Sequence, residues 1–235
     1  MITGGTVRSI GVVIPARDEE SLIGRCLASV SAAAREVAVP VSVVVVADGC
    51  LDSTATVARE FRGVDVVEIE SSNVGTARAT GARRALALGA DWLANTDADS
   101  VVPSNWIAAQ LDAAAAGADV LVGTVRPDFA DLSAERVIAW LETHADGSAI
   151  GNVHGANLGV RSSAYRAVGG YLSLPEHEDV DLVRRLSVRG TVLAHADAEV
   201  MTSGRLVGRT PGGYAGFLRD QLRENAFAAQ EAGTG

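Results

Sequence analysis

The sequence lacks the features that define several special classes of protein. It has two cysteines, Cys26 and Cys50, which make no disulfide framework and offer no recognised metal-ligand spacing. No apolar run is long enough to cross a bilayer, and the first ten residues lack the basic and apolar regions of a signal peptide. We therefore expect a cytoplasmic protein without a transmembrane segment.

Positive charge is also scarce, because 20 Lys and Arg face 29 Asp and Glu, giving a formal net charge of −9. Nucleic-acid binding needs clustered cations that neutralise phosphates, so we expect no nucleic-acid partner. An anionic ligand that approaches an acidic protein needs a local cation, and a bound divalent metal would supply one.

Two nucleotide-binding motifs are missing as well. No G-x-G-x-x-G follows the first predicted strand, where residues 15–20 read Pro-Ala-Arg-Asp-Glu-Glu, and no P-loop ending in Gly-Lys-Ser/Thr occurs. These absences argue against a nicotinamide-binding Rossmann domain and a Walker-type phosphate site. They leave a metal-dependent site at the edge of a sheet.

The chain does contain a regular alternation of strands and helices. Hydrophobic content of 48% and charged content of 21% are typical of a globular protein. Apolar patterns predict strands at 10–14, 41–47, 64–69, 91–96 and 118–125, and helices at 19–34, 75–88, 103–116, 134–145 and 180–188, with another helix capped by residues 52–54.

This alternation predicts an α/β fold with a doubly wound, mostly parallel sheet, helices on both faces and a smaller acceptor lobe. We expect one domain over residues 1–235. Residues from about 10 to 100 would form its nucleotide-binding half, and residues from about 101 to 235 its acceptor half. Gly- and Asn-rich residues 151–159 interrupt the pattern of the second half.

Acidic residues stand at two informative positions. Asp97 and Asp99 follow the predicted strand 91–96, so they would lie at the carboxyl edge of the sheet, where open α/β sheets bind ligands. Carboxylates two residues apart offer hard oxygen ligands for Mg²⁺ or Mn²⁺. A second acidic pair, Glu178-Asp179, lies downstream and would also serve as the acidic first turn of a helix.

An ordered set of motifs resembles the family-two glycosyltransferases of GT-A fold. The matching segments are residues 12–19 (VVIPARDE), 45–54 (VVADGCLDST), 73–78 (NVGTAR), 97–99 (DAD), 155–161 (GANLGVR), 169–171 (GGY) and 178–182 (EDVDL). The resemblance implies a GT-A type fold and a metal-dependent transfer of a sugar from a nucleotide-diphosphate sugar to an acceptor hydroxyl. Mg²⁺ or Mn²⁺ would be the cofactor, and the acceptor is unknown.

The same resemblance implies roles for individual residues. The residues that border the base and ribose would be Pro15, Ala16, Arg17 and Glu19. Asp48 would accept a hydrogen bond from the base, and Arg78 would approach the base or a phosphate. Asp97 would touch the ribose or a metal-bound water, or join Asp99 in binding the metal. Asp179 is the candidate general base, with Glu178 beside it. Asn157 would contact donor or acceptor.

Some residues depart from the family pattern. Ala47-Asp48 replaces two adjacent Asp residues, and the Gln-x-x-Arg-Trp motif of processive synthases is absent. Some GT-A enzymes have a histidine metal ligand near residues 202–205; here Arg205 stands in that stretch and is expected to meet the diphosphate. The missing motif and the lack of a transmembrane helix favour a single transfer. The resemblance implies inversion at the anomeric carbon, although retaining enzymes use a similar fold.

Two other functions remain open, a sugar-phosphate nucleotidyltransferase and a non-catalytic nucleotide-sugar-binding module. A homodimer is left open too. Among the histidines, His177 and His154 are the candidates for the site, whereas His144 and His195 are expected to be incidental or structural. Trp106 and Trp140 are expected in the core.

Overall fold

The computed structural model describes residues 5–144, 153–210 and 212–220. In this part of the chain the strands are β1 Ile10–Ala16, β2 Val41–Asp48, β3 Val64–Ile69, β4 Trp92–Asn95, β5 Val120–Pro127, β6 Leu158–Arg161 and β7 Val192–Thr202. The α-helices are α1 Ile23–Arg35, α2 Thr54–Arg59, α3 Val74–Ala87, α4 Trp106–Ala115, α5 Ala134–Thr143, α6 Ser162–Ala167 and α7 Glu178–Ser187. Residues 214–220 are also helical.

The strands form a mixed sheet in the order β3-β2-β1-β4-β6-β5-β7. β1 pairs in parallel with β2 and β4, β2 pairs in parallel with β3, and β5 with β7. Among the strands that the structure describes, only β6 runs against its neighbours, β4 and β5. The predicted doubly wound, mostly parallel sheet is confirmed.

The hydrophobic core has two parts, one on each face of the sheet. Successive residues of a strand point to opposite faces, so Val12 and Ile14 of β1 pack with α1 and α4, whereas Val13 packs with α3. On the α3 side the backbones come close: a Cβ at Gly81 would lie 2.6 Å from Val13 Cγ1. Burial on both faces explains why β1 and β2 are continuous apolar runs, the pattern from which they were predicted.

Two strands, β6 and β7, and two helical segments, α6 and residues 214–220, were not predicted. β7 reads VLAHADAEVMT, and six of its first seven residues are exposed or half-buried because it lies at the edge of the sheet beside β5. The sequence of β7 therefore lacks the apolar pattern by which strands are predicted. β6 is fully buried but only four residues long, and it begins at the end of the Gly- and Asn-rich stretch 151–159 that was interpreted as a break; the short helix α6 follows it directly. Residues 145 and 151–152 of the predicted segments lie outside the described residues.

A membrane-crossing helix is not found in the described ranges, since none of their helices has both the length and the apolar composition required. The exposed large apolar side chains are instead scattered, with Leu51 and Val207 on loops at 95% and 80% exposure.

Candidate active site

A cavity of about 420 Å³ opens at the carboxyl ends of β1, β2 and β4. Its charged lining comprises seven carboxylates, from Glu19, Asp48, Asp97, Asp99, Glu176, Glu178 and Asp179, and four arginines, Arg17, Arg78, Arg205 and Arg209. Three histidines, His144, His154 and His177, also line it. Carboxylates outnumber cations, so the cavity favours a cationic ligand or an anionic ligand accompanied by a cation.

Asp97 and Asp99 lie on a tight turn just beyond β4. Ser100 donates its backbone N–H to the carbonyl of Asp97 at 3.1 Å, and Ala98 between the two acids is buried. Asp97 keeps about a third of its side chain exposed, whereas Asp99 is only 12% exposed. The predicted position of this acidic triplet at the sheet edge is therefore observed, with one carboxylate open and one enclosed.

Protein groups contact both oxygens of the Asp99 carboxylate. Oδ1 accepts from the hydroxyl of Thr202 at 3.1 Å, and Oδ2 forms an ion pair with Arg205 Nη2 at 2.9 Å. Burial and the nearby charge of Asp97 raise the pKa of Asp99 to about 6, although Arg205 acts in the opposite direction. An enclosed carboxylate beside a second one is a place where added positive charge is favourable.

Arg78 joins the two acidic sites, and it is itself 100 residues from Glu178 in the sequence. Its Nη2 donates to Asp97 Oδ1 at 2.6 Å and its Nε donates to Glu178 Oε1 at 2.8 Å, with the Arg78 side chain 3% exposed. Burial raises the pKa of Glu178, and Arg78 opposes that rise. Arg78 thus forms two ion pairs, and of its guanidinium nitrogens only Nη1 has no hydrogen bond. Its contact with the base or a phosphate stays a prediction.

The glycine at 155 is required by Arg78. A Cβ at this position would collide with the Arg78 guanidinium, so only glycine lets the chain before β6 pass so close. The backbone N–H of Gly155 instead points to Asp179 and donates to its Oδ2 at 2.6 Å. The turn before β6 therefore touches both the buried arginine and the candidate base.

Asp179 stands in the first turn of α7 and lines the cavity. Its Oδ1 accepts from the backbone N–H of Val180 at 2.7 Å. The preceding His177 has a left-handed backbone, with φ of 59°, which turns the chain into the helix. Since each carboxylate oxygen has a second lone pair, Asp179 is held in place while keeping capacity to accept a proton.

Glu19 and Arg205 form an ion pair that also lines the cavity. The guanidinium of Arg205 donates to both oxygens of Glu19, at 2.7 and 2.9 Å, and Glu19 is 5% exposed. Arg209 lies 3.7 Å from the same carboxylate and donates to the backbone carbonyls of Arg17 and Asp18. Arg209 was not predicted, because it belongs to a loop after β7, a strand that the sequence did not reveal.

Asp48 lines the cavity but its carboxylate is already used by a neighbouring loop. It accepts from the backbone N–H groups of Ser71, Ser72 and Asn73 and from the Ser71 hydroxyl, at 2.6 to 2.8 Å. Burial works against ionisation, yet these hydrogen bonds outweigh it and lower the pKa of Asp48. Pro15, Ala16 and Arg17 line the cavity beside it, at the end of β1.

Asn157, which was expected to contact donor or acceptor, is not among the residues that line the cavity. Its amide donates to the carbonyls of Thr124 and Ala198 at 2.9 and 2.8 Å, and its Oδ1 accepts from Trp106 Nε1 at 2.9 Å. With 1% exposure it ties the turn before β6 to β5 and β7. In this structure its hydrogen bonds serve the fold.

Aromatic side chains form one end of the cavity. His144, His154, Tyr214 and Phe217 line it, and their rings lie 5.6 to 6.0 Å apart in successive pairs. His144, expected to be incidental, also stacks on Trp140 at 4.3 Å. Burial lowers the pKa of His154, so this ring is neutral near pH 7. Nothing in the local sequence pattern could have assembled rings from three separate segments.

The donor set fits a divalent cation at Asp97 and Asp99. Both are hard carboxylate ligands, and the excess of acidic groups around them disfavours an unaccompanied diphosphate. Another group within the described residues, Asp18, Cys50 and Asp52, has ligand-like spacing. The carboxylate oxygens in this group, however, accept hydrogen bonds from the backbone N–H groups of Leu51, Glu20 and Thr54, so they already stabilise the surrounding loops.

The family model described as Glycosyl transferase family 2 matches residues 11–169, which is more than half of the chain. The chain belongs to this family. The matched region extends from β1 to the end of α6, and so includes the acidic triplet and Gly155. No curated protein matches the sequence.

Solved structures with this architecture include S. aureus TarS 1-349 in complex with UDP-GlcNAc, with a TM-score of 0.67 and 15% identity over 88% of this chain and 61% of that one. Mannosyltransferase PcManGT from Pyrobaculum calidifontis, in complex with GDP-Man and Mn²⁺, has a TM-score of 0.66 and 19% identity over 85% of this chain and 57% of that one. A mycobacterial protein has a TM-score of 0.53 and 20% identity.

These likenesses show a GT-A type fold, as the resemblance predicted. The chain spans 60% of the length of TarS 1-349.

Proposed function

We propose that this family member transfers a sugar from a nucleotide-diphosphate sugar to an acceptor hydroxyl, with the help of a divalent cation and with inversion at the anomeric carbon. One observation carries the proposal: Asp97 and Asp99 face the same cavity as Asp179, and the buried Arg78 joins the two sides. A site for a charged leaving group and a site for a base are thereby fixed relative to each other.

Asp179 is assigned as the general base. An alcohol is a weak nucleophile near neutral pH, and a positioned carboxylate that takes its proton accelerates attack. The hydrogen bonds from Gly155 and Val180 orient Asp179 toward this task. Glu178, buried against Arg78, acts as a positioning residue and does not touch the reacting atoms.

The donor would occupy the part of the cavity at the carboxyl ends of β1 and β2. Pro15, Ala16 and Arg17 border the space for the base and ribose, and Asp48 shapes it by holding residues 71–73. Asp99, with Asp97, would bind Mg²⁺ or Mn²⁺, which supplies positive charge against the leaving diphosphate. The complexes named for TarS and PcManGT, with UDP-GlcNAc and with GDP-Man and Mn²⁺, support a nucleotide-sugar donor.

The acceptor would enter at the aromatic end. His154 and Tyr214 present ring surfaces, and rings of this kind suit the apolar face of a sugar or another ring-shaped acceptor. The neutral state of His154 leaves Asp179 free of a fixed cationic neighbour there.

A donor panel tests the proposal. The purified chain is titrated with UDP-, GDP- and dTDP-sugars, with excess Mn²⁺ and with chelator, while binding is followed by calorimetry and slow hydrolysis by nucleotide release. We expect one donor to bind and to be hydrolysed with metal, and both signals to fall with chelator. Lack of response to every donor would reject the proposal.

Substitution of Asp179 tests the base. Asp179→Asn should lower turnover by about 10²- to 10⁴-fold while donor affinity stays unchanged, because the amide has nearly the same size but accepts no proton. Since the amide nitrogen faces the N–H of Gly155 or of Val180 in either orientation, circular dichroism must show that the variant is folded. Asp181→Asn is the matched control, since Asp181 is on the same helix, is paired with Arg184 and Arg185, and does not line the cavity. Product NMR would show inverted anomeric configuration.

A further inference from the structure

The position of Arg205 has a consequence for metal binding, given the metal role of Asp99 in the proposed function. Arg205 Nη2 lies 2.9 Å from Asp99 Oδ2, on the carboxylate that a divalent cation would use. A guanidinium and a metal ion at one carboxylate repel each other, because both carry positive charge within a few ångströms. Metal binding therefore has to work against Arg205 or displace it.

The geometry provides a place for Arg205 when Asp99 is released. Its Nη1 and Nη2 both donate to Glu19, and only Nη2 is shared with Asp99. A bidentate arginine–carboxylate pair is strong and directional, so Glu19 can retain the guanidinium after one contact is lost. Little rearrangement is needed, since the remaining Asp99 oxygen keeps its hydrogen bond from Thr202.

Burial makes the competition significant. The side chains of Glu19 and Asp99 are 6% and 12% exposed, and that of Arg205 is 29% exposed, so water screens these charges weakly. Arg209 differs in this respect: it is 43% exposed, lies 3.7 Å from Glu19 and is directed to the carbonyls of Arg17 and Asp18. The chain thus offers two neighbouring arginines, of which one contacts the Asp99 carboxylate.

We propose that Arg205 is an exchangeable counter-charge for Asp99, which sets the affinity of the site for a divalent cation and turns from Asp99 when that cation binds. Held by Glu19, Arg205 can then offer the Nη2 N–H released from Asp99 to the diphosphate of the donor. Arg205 is in this view a determinant of metal affinity, held ready by Glu19.

Mn²⁺ binding without nucleotide tests this directly. Free Mn²⁺ is measured by electron paramagnetic resonance at pH 8 and low salt, for the wild type, Arg205→Met, Arg205→Lys and Arg209→Met. We expect Arg205→Met to bind Mn²⁺ about tenfold more tightly, because removing one nearby cation shifts a charge equilibrium by at least this factor. Arg205→Lys should stay near the wild type, and Arg209→Met should change affinity less than about twofold because its charge is distant and screened.

A double-mutant cycle with Asp99→Asn assigns the effect to the right carboxylate. In the Asp99→Asn background, Arg205→Met should no longer tighten Mn²⁺ binding. Unchanged or weaker Mn²⁺ binding by Arg205→Met overturns the inference, and so does absence of Mn²⁺ binding by the wild type and all variants. Circular dichroism confirms that each variant is folded.

This outcome is separate from that of the donor panel. If donor is hydrolysed but Arg205→Met does not change the affinity for Mn²⁺, the proposed function stands and the inference is rejected. If Arg205→Met binds Mn²⁺ more tightly but no donor is turned over, the inference stands and the proposed function is rejected.

Discussion

The carboxylates around the cavity are held in two different ways. Asp48 and Asp179, together with Asp18 and Asp52 in loops beside the cavity, accept hydrogen bonds from backbone N–H groups. The carboxylates of Glu19, Asp97, Asp99 and Glu178 are instead paired with the guanidinium groups of Arg78 and Arg205.

The two arrangements have different chemical consequences. A backbone N–H cannot leave without moving the chain, so the first group fixes loop shape. A guanidinium on a long side chain can exchange for another cation, so the second group is where ligand charge can be accommodated. The shape of the cavity and its charge are thus controlled by separate sets of residues.

We expect the largest effect on stability from removing the buried arginine of the second group. Arg78→Met leaves Glu178 buried without a counter-charge, which should lower the free energy of unfolding by about 3–5 kcal/mol. Urea denaturation measures it. The double variant Arg78→Met/Glu178→Met should recover part of the loss, and a loss below about 1 kcal/mol in the single variant would contradict the buried pairing.

Weakening the hydrogen bonds of the first group should lower the free energy of unfolding by a smaller amount. Each oxygen of Asp48 accepts from a backbone N–H, so the amide nitrogen of Asp48→Asn faces a donor in either orientation. We expect a loss of about 1–3 kcal/mol in the free energy of unfolding, with weaker donor binding because residues 71–73 shift. Equal stability of variant and wild type in urea would show that these bonds are dispensable.

The same variant gives a pH test with a defined sign. The pKa of Asp48 is lower in the folded chain than the value of about 3.9 expected when unfolded, so its charge stabilises the fold above that pH. The stability difference between wild type and Asp48→Asn should be constant at neutral pH. It should shrink as the pH falls below about 4, and a difference that grows there would refute the assignment.

An exposed pair provides the smallest effect. Arg84 and Asp65 form an ion pair on the surface, with 48% and 29% of their side chains exposed. Arg84→Met should change the free energy of unfolding by less than about 1 kcal/mol, since water screens the pair. A loss comparable to that of Arg78→Met would mean that burial is not what separates the two cases.

Much of the first half of the fold could be predicted from local patterns. The apolar runs of β1 and β2 arise from burial on both faces, and Asp97 and Asp99 follow from the end of β4. The second half was less accessible, because β7 is a polar edge strand and β6 is short and lies among small residues.

The site shows the same division. Motif positions indicated Asp99, Arg78 and Asp179 as members of one cavity, yet no pattern indicated that Arg78 bridges Asp97 and Glu178. Contacts between segments a hundred residues apart depend on tertiary structure. Asn157 shows that a residue within a motif can also have a structural role, because its side chain accepts a hydrogen bond from Trp106 in the core.

The reversed direction of β6 has a consequence for how such proteins can diversify. Asn95 of β4 pairs with Leu158 of β6, and the Asn95 side chain donates to the Leu158 carbonyl at 3.1 Å. The intervening segment begins with Asp97 and Asp99 and contributes β5 to the same sheet before the chain returns as β6. Loops of this segment that lie outside β5 can vary in length while the pairing of β4 with β6 keeps its register. Variation in surface loops can therefore accumulate without disturbing the strands that hold the acidic residues in place.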